Sequence, residues 1–260
     1  MATRKSQICR TDKKSTIYVS VESQCARNYH YSRSAPQKVE EFFQDTEKHY
    51  GRVLKLIWSK QEPSKQEYYA LILVMLDLHI RSIAYENLTG EENYHAYLRR
   101  LGYLRSTILS DKPDAQISDE QNLAHLEKYW RVKLLHTPAD GELITSDNPS
   151  IWCNWEDGDQ LHCVIMPVHP QMCAVAFDNR FCRIDFNLTE SDTAQLNAWQ
   201  LLHCWRSIFS HSKPSQIQMS AVQSYLSKGR SFPGYTDASS WNMRRVSLTG
   251  ETPFDFITKA

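Results

Sequence analysis

The sequence predicts an α+β fold in which long helices come first, a sheet follows, and one long helix closes the structure. Apolar residues recur at helical spacing in a helical half over about residues 36–128. Short apolar runs separated by turn residues then indicate a sheet half over about residues 129–186. Because helices and strands are segregated along the chain, we expect an antiparallel or mixed sheet with the helices packed on it. We expect a single domain over residues 1–260.

The helical half begins with two long helices. The first is expected from about Pro36 to Ser59 and the second from about Ser64 to Asn87, and the short connection around Pro63 predicts an antiparallel pair. The middle of the second helix is apolar all round, which is typical of a buried helix. A third amphipathic helix is expected over about Glu91–Leu109, and a short helix that opens at Ser118 should extend to about Lys128.

Strands are expected at both ends of this helical half. A first edge strand is predicted at Ser15–Glu22, where apolar and polar residues alternate. In the sheet half, Tyr129–His136 and Glu142–Ser146 flank a Pro-Ala-Asp-Gly turn, which indicates a β-hairpin. Further strands follow between turn signals, at Ile151–Trp155, Leu161–Pro167, Met172–Phe177 and Phe181–Phe186.

A long amphipathic helix is expected to close the fold over about Thr189–Ser210. Thr189 or Ser191 should cap its N-terminus. The tail over residues 213–260 contains recurrent Gly and Pro, so we expect it to be irregular apart from a short helix at about Ser220–Leu226.

Composition and charge narrow the function classes. The chain carries 30 Lys and Arg against 30 Asp and Glu, and this balance argues against a protein that binds nucleic acid through bulk charge. Gly is scarce, with 8 residues, and no Gly-rich phosphate-binding motif occurs, which argues against a Gly-rich nucleotide-binding fold and leaves any cofactor open. No apolar run is long enough to span a bilayer and no signal-peptide pattern opens the chain, which predicts a cytoplasmic protein with no membrane partner.

The most informative segment runs from Glu142 to Pro149. A short apolar strand leads directly into Ser146-Asp147-Asn148-Pro149. Asp and Asn favour turns through local hydrogen bonds, and Pro prevents a ladder from continuing at its own nitrogen. A carboxylate and an amide are therefore fixed just beyond a strand end, where functional side chains are common.

Several features of the chain carry a family resemblance: Leu143–Pro149, Val164–Pro170, Leu196-Asn197, Glu47 on the first helix and Arg81 on the second. In these features the chain resembles the uncharacterised bacterial family called domain of unknown function 4238. It departs from that family's usual pattern because the His-x-x-Pro-Gln-like opening segment is not found. The resemblance implies a bacterial, intracellular protein of unassigned activity. The accessory character of such families suggests an effector or accessory factor in a prophage, toxin or anti-phage defence setting.

Charged and amide residues are expected to meet where the two long helices approach the sheet. Asp77 and Arg81 lie four apart on the most apolar helix, so they face the same way, and a buried charge needs a partner. Arg81 needs acceptors and Asp147 needs a donor, so we expect these two side chains to lie close enough to interact. The expected cluster comprises Glu47, Asp77, Arg81, Asp147, Asn148 and Asn197.

Two interpretations of this cluster stay open. In the catalytic one, carboxylates act with an arginine and an amide on a phosphodiester or another anion, as in a hydrolase or nuclease, and a divalent metal cofactor is left open. The catalytic residues are then Asp147, Glu47, Arg81 and Asn148. The substrate-binding residues are Trp152, Asn197 and Asp77. In the other interpretation, the cluster is a structural salt-bridge network in a non-catalytic interaction or regulatory module, with protein or nucleic acid open as the partner.

Cysteine and histidine recur in the sheet half, at Cys153, His162, Cys163, His169, Cys173 and Cys182. Structural zinc uses four such ligands, usually in short paired spacings, and the chain's seven cysteines form no CxxC pair. We therefore expect buried reduced thiols and no structural zinc. Cys204 and His203 are neighbours on a helix and do not face each other, which argues against a cysteine nucleophile.

Aromatic and basic side chains suggest two further surfaces. Trp152 and Trp155 follow the Asp-Asn-Pro turn and are expected to line a pocket mouth. Arg99, Arg100 and Arg105 form a basic helix face. We interpret that face as solvated, with an anion or nucleic-acid patch as the alternative.

Overall fold

The computed structural model describes residues 7–11, 16–20, 48, 50–61, 63–80, 119–155, 161–185, 187–203, 207–212, 245–248 and 254–260. Several predicted features lie outside them: nearly all of the first helix before residue 50, the second helix beyond Ile80, the third helix, and the short helix of the tail.

The described helices agree with the sequence pattern. They are α1 (50–58), α2 (Lys65–Ile80), α3 (Asp119–Tyr129) and α4 (Glu190–His203). A capping box opens α2, because the Glu67 carboxylate accepts from Ser64 N at 2.7 Å and Glu67 N donates to Ser64 Oγ at 3.4 Å. Arg52 of α1 pairs with the same carboxylate at 2.7 Å, so α1 and α2 are in contact. Within the described part of the chain, none of the helices is both long and apolar enough to cross a bilayer.

A five-stranded mixed sheet forms the centre of the described structure. The strands of the chain are β1 (Gln7–Thr11), β2 (Thr16–Ser20), β3 (Trp130–His136), β4 (Thr145–Ser146), β5 (Ile151–Asn154), β6 (Cys163–His169), β7 (Met172–Asp178), β8 (Cys182–Ile184), β9 (Ile208–Ser210), β10 (Arg245–Ser247) and β11 (Ile257–Lys259). The central sheet has the order β10-β5-β6-β7-β3, with β10 parallel to β5 and the other pairs antiparallel. The predicted α+β fold is therefore confirmed.

Alternation along the central strands divides the core into two layers. On β6, Val164 and Met166 pack in one buried cluster with α1, α2 and α3, whereas Cys163 and Ile165 pack in a second cluster with α4 and the segment around Phe254. Successive side chains of a strand point to opposite faces, so the sheet is covered on both sides. The helical half packs on one face and the closing helix on the other.

Two smaller sheets complete the described fold. One has the order β2-β1-β9-β4, and the other pairs β11 with β8. Strand β2 lies at an edge of the first, as its alternating pattern predicts. Strand β1 was not expected, because its five residues QICRT have no regular alternation of apolar and polar residues.

The predicted hairpin around residues 137–141 is wrong, although its turn is present. Gly141 N donates to Pro138 O at 2.9 Å, as in a turn. However, β3 pairs with β7 and β4 pairs with β9, in different sheets. The backbone after the turn bonds to a different segment, since Leu143 N donates to Pro170 O at 2.6 Å. A local turn signal cannot reveal such distant partners.

Two predictions near the C-terminus are also wrong. The closing helix was expected to continue to Ser210, but residues 208–210 form β9, which pairs with β1 and β4. The tail was expected to be irregular, but it contains β10 and β11. These three-residue strands exist because remote strands supply their hydrogen bonds, and a run that short has no readable period.

Candidate functional site

Residues 142–149 lie against α4, and Asn197 of that helix binds their backbone in two places. Its Oδ1 accepts from Ile144 N at 2.9 Å, and its Nδ2 donates to Glu142 O at 2.8 Å. The carbonyl of one strand residue and the N–H two positions later point the same way, so a single amide can satisfy both. Asn197 therefore takes the place of a neighbouring strand.

Gln200, one turn further along α4, repeats this arrangement at the Ser-Asp-Asn-Pro motif. Its Nε2 donates to Pro149 O at 2.7 Å, and its Oε1 lies 2.9 Å from Ser146 Oγ. Ser146 Oγ also accepts from Asn148 N at 3.2 Å and lies 2.9 Å from Asn148 O. The hydroxyl has one hydrogen, so it can donate either to Gln200 or to Asn148 O. Gln200 is 0% exposed, and this network closes the turn from the inside.

Asp147 joins the motif to β9. Its backbone N donates to Ser207 O at 3.2 Å, and its Oδ2 accepts from Ser207 N at 3.1 Å. The side chain is half-buried. A carboxylate that accepts a backbone N–H makes a charge-assisted hydrogen bond. Asp147 thus fixes the residue immediately before β9.

Glu142 binds the other end of β9. Its Oε1 accepts from the backbone N of His211 and of Ser212, at 3.0 Å each, and its Oε2 accepts from the Ser212 hydroxyl. Partial burial by itself would raise the pKa of this carboxyl. The hydrogen bonds from Ser212 and His211, with the charge of the His211 side chain, outweigh burial and lower the pKa below its usual value. Two carboxylates therefore bracket a three-residue strand.

The predicted cluster is only partly brought together by the described residues. Asp147, Asn148 and Asn197 lie in or against the same segment, and Asn148 is 4% exposed. Asp77 is 1% exposed on α2, which packs on the other face of the central sheet from α4. Glu47 and Arg81 lie outside the described residues, so the contact between Arg81 and Asp147 stays a prediction.

Trp152 packs in the core rather than at a pocket mouth. It is 0% exposed and belongs to the buried cluster that faces α1, α2 and α3. Trp155 is also buried, and its Nε1 donates to Phe181 O at 2.8 Å. The interpretation of these two residues as a pocket rim is therefore wrong, because the strand that follows Pro149 enters the sheet at once.

Comparison with known proteins gives a family and no activity. A family model described as "Protein of unknown function (DUF4238)" matches residues 2–214. The chain belongs to this family. No curated protein and no solved structure matches it. The predicted resemblance is thus confirmed, and the geometry of the chain itself must carry any argument about what this DUF4238 protein does.

The cysteines of this DUF4238 chain are buried and reduced where they are described. Cys153, Cys163, Cys173 and Cys182 all lie in the buried cluster on the α4 side of the sheet. Burial raises the pKa of Cys182 to about 12 and the pKa of Cys163 well above its ordinary value, so both are thiols at neutral pH. Among the described residues, no group of three or more His, Cys, Asp or Glu side chains is arranged to hold a metal ion.

Sequence reasoning missed Gln200 and Glu142 as members of the network. Gln200 lies three residues after Asn197, and that spacing places both amides on one face of α4. This helical spacing was a usable signal. Glu142 gave no comparable signal. Its partners His211 and Ser212 were expected to follow a helix that ends at Ser210, whereas α4 ends at His203.

Proposed function

We propose that this DUF4238 protein is a non-catalytic interaction or regulatory module, in which the polar residues around Asp147 hold the fold together. The observation that carries the proposal is what these side chains bond to. Asn197, Gln200 and Asp147 each bond to the main chain of a neighbouring segment. Groups that serve in this way lock elements in place.

The hydrogen-bond partners of these side chains support the structural interpretation. A catalytic carboxylate must reach a substrate atom or a proton that moves. Oδ2 of Asp147 instead accepts from Ser207 N, and both polar atoms of the Asn197 side chain are engaged with residues 142 and 144. Each of these bonds satisfies a backbone group that a short strand such as β4 leaves without a ladder partner.

A protein is the partner class that we favour over nucleic acid. The chain has a formal net charge of zero, which gives no general attraction for phosphates. The large apolar side chains Ile17 and Tyr18 on edge strand β2 are 46% and 58% exposed. Exposed apolar groups on an uncharged edge strand favour contact with another polypeptide.

The competing hypothesis is hydrolysis of a phosphodiester or another anion by Asp147 with Glu47 and Arg81. The half-burial of Asp147 is the observation that favours it, because the carboxylate retains some solvent access. The prophage, toxin or anti-phage defence setting is compatible with either hypothesis and stays a prediction.

Asp147→Ala and Asp147→Asn together separate the two hypotheses. The Asn variant keeps an acceptor for Ser207 N, whereas the Ala variant loses it. If the proposal holds, Asp147→Ala lowers the free energy of unfolding by about 1–3 kcal/mol, as for a hydrogen bond to a charged group. Asp147→Asn should then keep most of the stability and the cellular phenotype of the wild type. Loss of phenotype in both variants, with wild-type melting curves, would instead support catalysis by the carboxylate.

A further inference from the structure

Cys153 and Cys163 are direct neighbours on two adjacent strands. They are register partners in the antiparallel pair of β5 and β6. Both side chains point to the face covered by α4, and both are 0% exposed. Register partners in antiparallel strands have Cα atoms about 4.5–5.5 Å apart, which lies inside the range of about 4.4–6.8 Å found for disulfides. The backbone therefore already holds the two thiols at a distance that a disulfide can bridge.

The two thiol groups also interact with each other. Burial is the main reason that the pKa of Cys163 is raised, and a hydrogen bond with the Cys153 side chain adds to the rise. Both cysteines are free thiols in the structure. A contact that disfavours the charged form keeps the pair unreactive while the ladder is closed.

The pair is the last one of the β5–β6 register, and a hydrogen bond from His162 N to Cys153 O at 3.1 Å follows it. The β5–β6 register runs from Ile151↔Ile165 to Cys153↔Cys163, which is its last pair. Strand β6 begins at Cys163 itself. Both residues are 0% exposed, and β10 and β7 flank the two strands, so an oxidant reaches the pair when this end of the sheet opens locally.

We propose that Cys153 and Cys163 are a redox-sensitive pair that closes into a cross-strand disulfide when the protein meets a peroxide. One thiol loses its proton, and the thiolate attacks a peroxide oxygen. The O–O bond breaks, a sulfenic acid forms, and the hydroxide leaving group takes up the proton as the first water. The second thiol then attacks the sulfenic sulfur, the S–S bond forms, and a second water leaves. Two thiols lose two protons and two electrons, and hydrogen peroxide is reduced to two waters.

The disulfide would act on the strand that follows the Ser-Asp-Asn-Pro motif. β5 begins two residues after Pro149 and pairs with β10 on its other side. Linking β5 to β6 ties that strand to the centre of the sheet. Oxidation then makes this end of the sheet resist opening, independently of whether the motif itself is structural or catalytic.

Peptide mapping of the oxidised full-length chain tests the proposal. The folded protein is treated with hydrogen peroxide, then denatured and alkylated, and digested without reductant. We expect one intrachain peptide pair linking Cys153 to Cys163, a higher melting temperature than the reduced form, and reversal of both by dithiothreitol. The Cys173→Ala variant should still form the link, and the Cys163→Ala variant should not.

Other results would overturn the proposal. One is full alkylation of Cys153 and Cys163 after a treatment that oxidises a model dithiol completely. Another is a link that joins either residue to Cys173 or Cys182, or that joins two chains. Because the wild-type protein gives the deciding measurement, the proposal does not depend on whether a cysteine variant folds.

Discussion

At the residue scale, side-chain amides of α4 form the backbone hydrogen bonds that a neighbouring strand would otherwise form. Asn197 was identified from the sequence, but its expected role was substrate binding. The structure shows that it binds the backbone of residues 142 and 144. The residue type and position were predictable because Asn in the middle of an amphipathic helix is a conspicuous polar group. Its partner could not be predicted, since that depends on how α4 packs.

Replacing Asn197 should destabilise the fold. In Asn197→Ala, Ile144 N and Glu142 O lose their partners in a partly buried position, and we expect a loss of about 1–3 kcal/mol in the free energy of unfolding. Urea denaturation measures it. Asn197→Asp, which can accept but not donate, should also be destabilised. Ala198→Gln, an exposed change on the same helix, is the control and should melt like the wild type.

Glu142 should make stability depend on pH in the acid range. Its pKa in the folded protein is lowered below the ordinary value of a glutamate, about 4.5. The folded state therefore binds fewer protons than the unfolded state in the window below about 4.5, and stability is lost as the pH falls through the folded pKa. The free energy of unfolding of the wild type should fall more steeply below pH 5 than that of Glu142→Gln. Parallel pH profiles for the two proteins would contradict this role.

At the element scale, local sequence patterns predicted the helices and strands that local interactions determine. The start of α2, helix α3 and strands β5 to β8 were expected within a few residues of their observed bounds. The hairpin, the end of the closing helix and the strands of the tail were not, because remote partners decide them. β9 exists between β1 and β4, and β10 exists beside β5.

The N-terminus of α4 also anchors the end of the chain. Asp192 Oδ2 accepts from Thr189 N at 2.9 Å in a capping box, and Asp192 Oδ1 accepts from Asp255 N at 2.8 Å. Asp192→Ala removes both functions, whereas Thr189→Ala removes part of the cap and the 3.3 Å contact of Thr189 Oγ1 with Asp255 Oδ2, but keeps the bond from Asp255 N to Asp192. We expect losses of about 2–4 kcal/mol for Asp192→Ala and about 0.5–2 kcal/mol for Thr189→Ala in urea denaturation. Equal losses would mean that the hydrogen bond from Asp255 N to Asp192 contributes nothing.

At the scale of the whole molecule, the segregation of helices and strands predicted the fold class correctly. It did not predict that the strands near both termini join sheets with the middle of the chain. The candidate site was predicted in part: the motif, Asn148 and Asn197 come together, and Trp152 enters the core. Sequence marks polar residues that need partners, but the partner follows from the packing of whole elements.

The arrangement of potential metal ligands predicts the metal content of the protein. Structural zinc needs several Cys, His, Asp or Glu side chains in tetrahedral reach, and none of the described residues form such a group of three or more. We expect purified protein to contain no stoichiometric zinc by elemental analysis. About one zinc per chain, lost when Cys163 or Cys173 is substituted, would refute this expectation.

Hydrogen exchange at the Ser207 amide tests most directly whether Asp147 is structural. This N–H donates to Asp147 Oδ2 in the folded protein. If the carboxylate holds β9 in place, Asp147→Ala should speed exchange at Ser207 by about 10- to 100-fold more than at Val175 in the central sheet, which corresponds to about 1.4–2.7 kcal/mol of local stability. Asp147→Asn should leave the exchange close to that of the wild type. Unchanged protection of Ser207 in Asp147→Ala would contradict the structural role and return Asp147 to the catalytic hypothesis.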